Sequence, residues 1–178
     1  MNLKGYIKTY GRVVITKITE DGKKEYFYNN KINNKMKIAL GELICAQPVA
    51  PRYIYKMNIY GLVNQGEISS KVKAATPEDD FPSMPTERDG VITKTGANLS
   101  VAPNIISGVN LFSVTINSSD NLGSNTTYYI TDAILVGQNN GSDEVWARVT
   151  LPTDGNIGLY KTPSVIYKID WYIIFNQE

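Results

Sequence analysis

The densest acidic cluster in this sequence is TPEDDF, where Glu78, Asp79 and Asp80 stand between Pro77 and Pro82. Carboxylates held at a fixed separation can act as general acid and base on a glycosidic bond, and a group of them can hold a cation. Either task needs a rigid support. The surrounding stretch has prolines and no regular period, which predicts a solvated loop instead.

The remaining chemistry is narrower still. The chain has no histidine, which removes the Ser-His and Cys-His nucleophile pairs, the imidazole base and any His-ligated metal. Cys45 is the single cysteine, so neither an internal disulfide nor a thiolate zinc site can form. No GxGxxG or phosphate-loop pattern occurs, and GELICAQP fits neither. The expectation is a chain without catalytic residues, metal or cofactor. Asn98, Asn117, Asn125 and Asn140 head N-x-[ST] sequons, which read as turn composition because no export signal accompanies them.

The elements that would position any site follow from periodicity. A length of 178 residues, 42% apolar and 20% charged, predicts one domain with a sizeable core. The net charge of +1 gives no broad field for nucleic acid or anionic lipid. MNLKGYIKTYGRVVI lacks the apolar run of a signal peptide, and no stretch approaches the roughly 20 apolar residues that span a bilayer. The expectation is therefore no membrane partner, no direct nucleic-acid partner and synthesis in cytosolic conditions.

GRVVITKIT, the turn EDGKK and EYFYNN predict a hairpin over about 11–29. Ile32, Met36, Ala39, Leu40, Leu43 and Ile44 fall at helical spacing, predicting a helix over about 31–46 with Asn29 or Asn30 as its cap and Pro48 beyond its end. That helix is expected to cover the open face of a sheet. YIYKMNIYG predicts a strand with Tyr53, Tyr55, Met57 and Ile59 on one face, followed by a long irregular loop over about 63–90. GVITKTG, NLFSVTINSS, TTYYITDAILVG and DEVWARVTLP read as successive strands, with C-terminal strands over about 109–176. The last alternates Val165, Tyr167, Ile169, Trp171, Ile173 and Phe175 against a mixed face with Ile166, Tyr172 and Ile174, which predicts a strand covered on both sides. The expected fold is mainly β: an antiparallel β-sandwich with one α-helix in its N-terminal half and one long loop.

The order of these pieces resembles a group of tailed-bacteriophage virion proteins. The resemblance rests on Gly11, Asn30, the helix at 32–46, Gly61, the run from Ile130 to Gly137, Trp146, Ala147, Arg148, Val149, Lys161, Ile169, Trp171 and Phe175. It covers both ends of the chain but not about 63–108, and it departs from the pattern at TDAILVG and at Trp146. The motif residues Trp146, Arg148, Lys161, Trp171 and Phe175 are patterned strand features, not catalytic signatures.

What the resemblance implies is a structural component of a virion, in a tail, collar or baseplate, that contacts neighbouring subunits or anchors a fibre. Its implied partners are other virion proteins and copies of itself in a ring or trimer, with assembly in the host cytoplasm. Twelve tyrosines agree with an interface role, for which Tyr53, Tyr55, Phe81 and Met84 are the candidate residues, although strand propensity accounts for the tyrosines equally well. The alternative is a receptor- or carbohydrate-binding module of a tail or head fibre, using aromatics and Asp/Asn loops. A glycan-cleaving carboxylate enzyme ranks last.

Overall fold

The computed structural model describes residues 7–45, 53–76, 87–104, 108–139, 141–151 and 158–177. Among them the chain is mainly β. The strands are β1 (Ile7–Thr19), β2 (Gly22–Ile32), β3 (Tyr53–Leu62), β4 (Gly90–Thr95), β5 (Ser100–Asn104), β6 (Val109–Ile116), β7 (Tyr128–Asn139), β8 (Ser142–Thr150), β9 (Leu159–Lys161) and β10 (Ile166–Gln177). Helices are few: α1 (Asn34–Cys45), the single turn α2 (Ile68–Lys71) and two three-residue 3-10 turns.

All pairings are antiparallel, and they join the strands into one curled, half-barrel sheet in the order β4-β3-β7-β8-β2-β1-β10-β6-β5, with β9 alongside β7. The sheet's two edges, β4 and β5, are consecutive in sequence, separated only by the turn Gly96–Asn98 and Leu99. A link this short requires those edges to approach each other at that end, so the sheet must curl.

The last strand settles between β1 and β6, pairing with β1 from Ile18 opposite Ile166 to Ile7 opposite Gln177. Val165, Tyr167, Ile169, Trp171 and Ile173 are buried in the main core, and Phe175 packs against it. The same core takes Val13 and Ile15 from β1, Met57 and Ile59 from β3, and Leu135 and Val149 from β7 and β8, so both halves of the curl contribute to it. Tyr60, Ile134, Val136 and Val145 form a second buried cluster on the opposite face of the β3-β7-β8 region.

Three sequence expectations are corrected. Helix α1 starts at Asn34, because Ile32 ends β2 and Asn33 is the cap: its side chain accepts from Lys35 N at 2.8 Å and its carbonyl accepts from Lys37 N at 3.3 Å. Asn29 and Asn30 are strand residues. Second, Tyr55 does not share a face with Met57 and Ile59. A register shift between Ile54 and Lys56 breaks the alternation, sending Tyr55 to the second cluster and Ile54 to the main core. Third, the expected irregular stretch contains ordered turns over its described part. Asn64 Oδ1 accepts from Gly66 N at 3.0 Å to start the turn Gln65–Glu67, and a Glu67–Lys71 pair at 2.5 Å ties the ends of α2.

Two glycines explain local choices. Opposite Gly11 on β1 stands Asn30, and a Cβ on Gly11 would overlap the Asn30 amide. Trp146 is the extra residue at the shift where Leu135 pairs Ala147 but Val136 pairs Val145, and its indole lies where a Gly137 Cβ would be. Helix α1 packs on this bulged strand, with Met36 and Ala39 in the core and Asn33 N donating to Trp146 O at 2.8 Å.

Candidate functional site

The most concentrated charge in the described structure is a buried triad. Asp132 on β7 is fully enclosed and accepts from Arg88 Nε at 2.8 Å and from Arg148 Nε and Nη2 at 3.2 and 2.6 Å. Both guanidiniums are nearly as buried as the carboxylate, with side-chain exposures of 1% and 4%. Arg88 Nη1 also donates to Lys71 O at 2.7 Å, and Arg148 Nη2 to Lys73 O at 3.1 Å, where Thr150 Oγ1 donates as well. The triad therefore straps the segment after α2 onto the face of the sheet opposite the main core. Both cations engage the same carboxylate, and the two backbone carbonyls take further donors.

Asp132 is fully enclosed and both of its oxygens accept from the guanidiniums, so the triad works as a clamp between β7, β8 and the segment around α2. Beside it opens a cleft of about 310 Å³. Asn29, Lys31 and Thr150 form one wall, and Ile68, Val72, Ala74 and Ala75 the other.

A second polar cluster lies around Lys161, whose side chain is wholly buried and whose Nζ donates to Thr162 O at 2.7 Å. Burial holds this amine below the ordinary lysine range, opposed by the more distant charge of Asp120. Asp120 pairs with Lys94 at 2.6 Å, and its carbonyl accepts from Tyr128 OH at 2.9 Å. Desolvation pushes the phenols of Tyr128 and Tyr167 up, and that of Tyr28 up to about 12. These groups buttress the junction of β7, β9 and β10, and Tyr167 OH donates to Tyr160 O at 2.8 Å.

The surface residues chosen from sequence separate. Tyr53 is exposed, and its ring meets Tyr55 edge-on at 6.1 Å. Tyr55 is half-buried: its hydroxyl donates to Asp143, which also pairs with Lys56 at 2.5 Å. Burial alone would raise the Asp143 carboxyl, yet the hydrogen bonds from Lys56 and Tyr55 outweigh it and hold that group below the usual range. Phe81 and Met84 lie outside the described residues, as do Glu78, Asp79 and Asp80. Of the motif residues, Trp146 and Trp171 are core, Phe175 borders the core, and Arg148 and Lys161 are the buried cations above. Among the described residues no group of three or more His, Cys, Asp or Glu side chains is placed to hold a metal ion.

The mixed face of the last strand, expected to be covered, is the partly open outward face of the β2-β1-β10-β6 region among the described residues, and sequence reasoning did not place Tyr10 and Phe27 on it. Phe27 is 56% exposed and Tyr10 42%, and Arg12 lies 4.9 Å from the Phe27 ring centre. Around them the register places Val14, Tyr172, Ile174, Leu111 and Val109, all half-buried. This face carries aromatic and aliphatic side chains at alternating strand positions, interspersed with Arg12, Asp170, Lys168 and Ser113. The alternation of β10 signalled it, since Ile166, Tyr172 and Ile174 fall on its polar side.

No protein-family model, no curated protein and no solved structure matches this chain.

Proposed function

We propose that this chain is a structural component of a bacteriophage virion, a tail, collar or baseplate protein that contacts neighbouring subunits or anchors a fibre. The observation that carries the reading is the outward face built on Tyr10, Phe27, Tyr172 and Ile174: apolar side chains held at fixed strand positions, where they present a rigid contact surface. The partnering of the buried and half-buried carboxylates agrees with it. Asp132, Asp143 and Asp120 are each engaged by cations of the same chain, so their carboxylates serve the frame. The order of sequence elements resembling tailed-phage virion proteins supplies the particular kind of assembly. The finer architecture belongs to the same reading: the two halves of the curl, meeting in one core, pack face to face as a β-sandwich.

The carbohydrate-binding alternative draws on a different place, the tilted pair of Tyr129 and Tyr160 with ring centres 4.9 Å apart and Tyr160 exposed. An aromatic platform of this kind can stack on a sugar ring.

Replacing Tyr10 and Phe27 together with Lys tests the contact face. Both residues are exposed, so the variant should keep the fold, with its melt close to the parent's, and lose incorporation into particles when it is the sole copy supplied. Incorporation at the parent's level would overturn the assignment of this face. Glycan binding abolished by Tyr160→Ala in place of any assembly defect would favour the alternative.

A further inference from the structure

We propose that the fork where β2 leaves β8 is a docking slot for an extended, acidic segment of another protein chain, which adds to β2 as a strand. The idea rests on the assembly reading for the source of that segment and on the fold for everything else.

The backbone comes first. β2 pairs with β1 from Gly22 to Asn30, but with β8 only through Lys31 opposite Arg148 and Ile32 opposite Ala147. Among the described residues no strand pairs with the other edge of 22–30. In an antiparallel strand alternate residues turn their N–H and C=O groups to opposite sides, so this edge presents a row of donors and acceptors. At the point of divergence lies the cleft of about 310 Å³, with Asn29 and Lys31 of β2 facing Thr150 of β8 and walled by Ile68 and Val72. An incoming strand on the β2 edge would run directly into it.

Charge selects the occupant. Residues 11–37 carry seven Lys or Arg against three acids, a surplus of four in a chain whose net charge is +1. Glu25 is the only acid on β2, against Lys23, Lys24 and Lys31. Glu67, the acid nearest the cleft's α2 wall, is already paired with Lys71. Lysines on an edge that no described strand pairs with repel a second copy of the same edge, so self-pairing is disfavoured while a strand carrying carboxylates is attracted. Strand addition of this type takes its affinity from main-chain hydrogen bonds and its selectivity from alternate side chains.

The test uses the full chain, isotopically labelled, and two ten-residue peptides, one alternating Val with Glu and the other Val with Lys. Amide exchange should slow at 22–30 on adding the acidic peptide, with shifts at Lys31 and Thr150, and the basic peptide should bind about fivefold or more weakly, the yield of one or two partly exposed ion pairs. Lys31→Glu, and separately Lys24→Glu in case the first disturbs the fold, should erase that preference. Equal binding of the two peptides, no binding of the acidic one, or protection at β4 or β5 instead would each overturn the proposal. Because the isolated protein is used, such a failure leaves membership of a particle untouched, and absence from virions would leave a docked peptide unexplained but real.

Discussion

Asp132→Asn replaces the one anion of the buried triad with a neutral side chain of the same shape. Asp132 accepts three hydrogen bonds from two guanidiniums that are nearly inaccessible to water, so its loss removes the carboxylate that both buried cations share. Removing one partner of a buried pair costs about 3–5 kcal/mol, because the remaining charge keeps its desolvation penalty and loses its compensation. Against a total stability of about 5–15 kcal/mol this is a large fraction. With a urea slope of about 2–3 kcal/mol per molar, the midpoint of a urea melt should fall by about 1–2.5 M. The strap should loosen too, since the same arginines hold Lys71 O and Lys73 O, and amide exchange in α2 should accelerate beyond the global change. A midpoint within about 0.2 M of the parent, with α2 still protected, would refute the triad as a clamp.

Gly137→Ala should destabilise by about 1–3 kcal/mol and alter tryptophan fluorescence, because the new methyl would overlap the buried Trp146 indole; an unchanged melt would show that the bulge has slack. Lys161 gives a pH signature. Its folded pKa lies below the ordinary 10.5, so between those values the unfolded chain binds more protons and stability rises with pH. The stability of the parent relative to Lys161→Met should therefore grow as the pH rises towards 10.5, in a series of urea melts, and a flat difference would mean that the amine is hydrated.

The hairpin and the last strand were legible because each alternates over many residues and burial follows the alternation, as Val13, Ile15, Ile169 and Trp171 show. Short or interrupted elements were not. β5, SVAPN, contains a proline that a central strand would exclude, and it is tolerated here because β5 is an edge. β9 has only three residues and exists through its partner β7. Tyr55 was misplaced because strict period 2 cannot foresee a bulge. At the candidate site, Arg148 was singled out by pattern, but its function as a clamp required Asp132, 16 residues away, and Arg88, 44 residues from Asp132. Only sheet pairing brings these together. The hint available was Asp132 itself, a charge inside the otherwise apolar YYITDAILVG, where burial demands a partner.

The central claim is tested most directly by mass spectrometry of purified phage particles separated into heads and tails, with this chain quantified against the major tail subunit. The chain should appear in the tail fraction, at a fixed stoichiometry that survives high-salt washing. Its absence from both fractions, while it is abundant as free protein in the infected-cell lysate, would contradict the account.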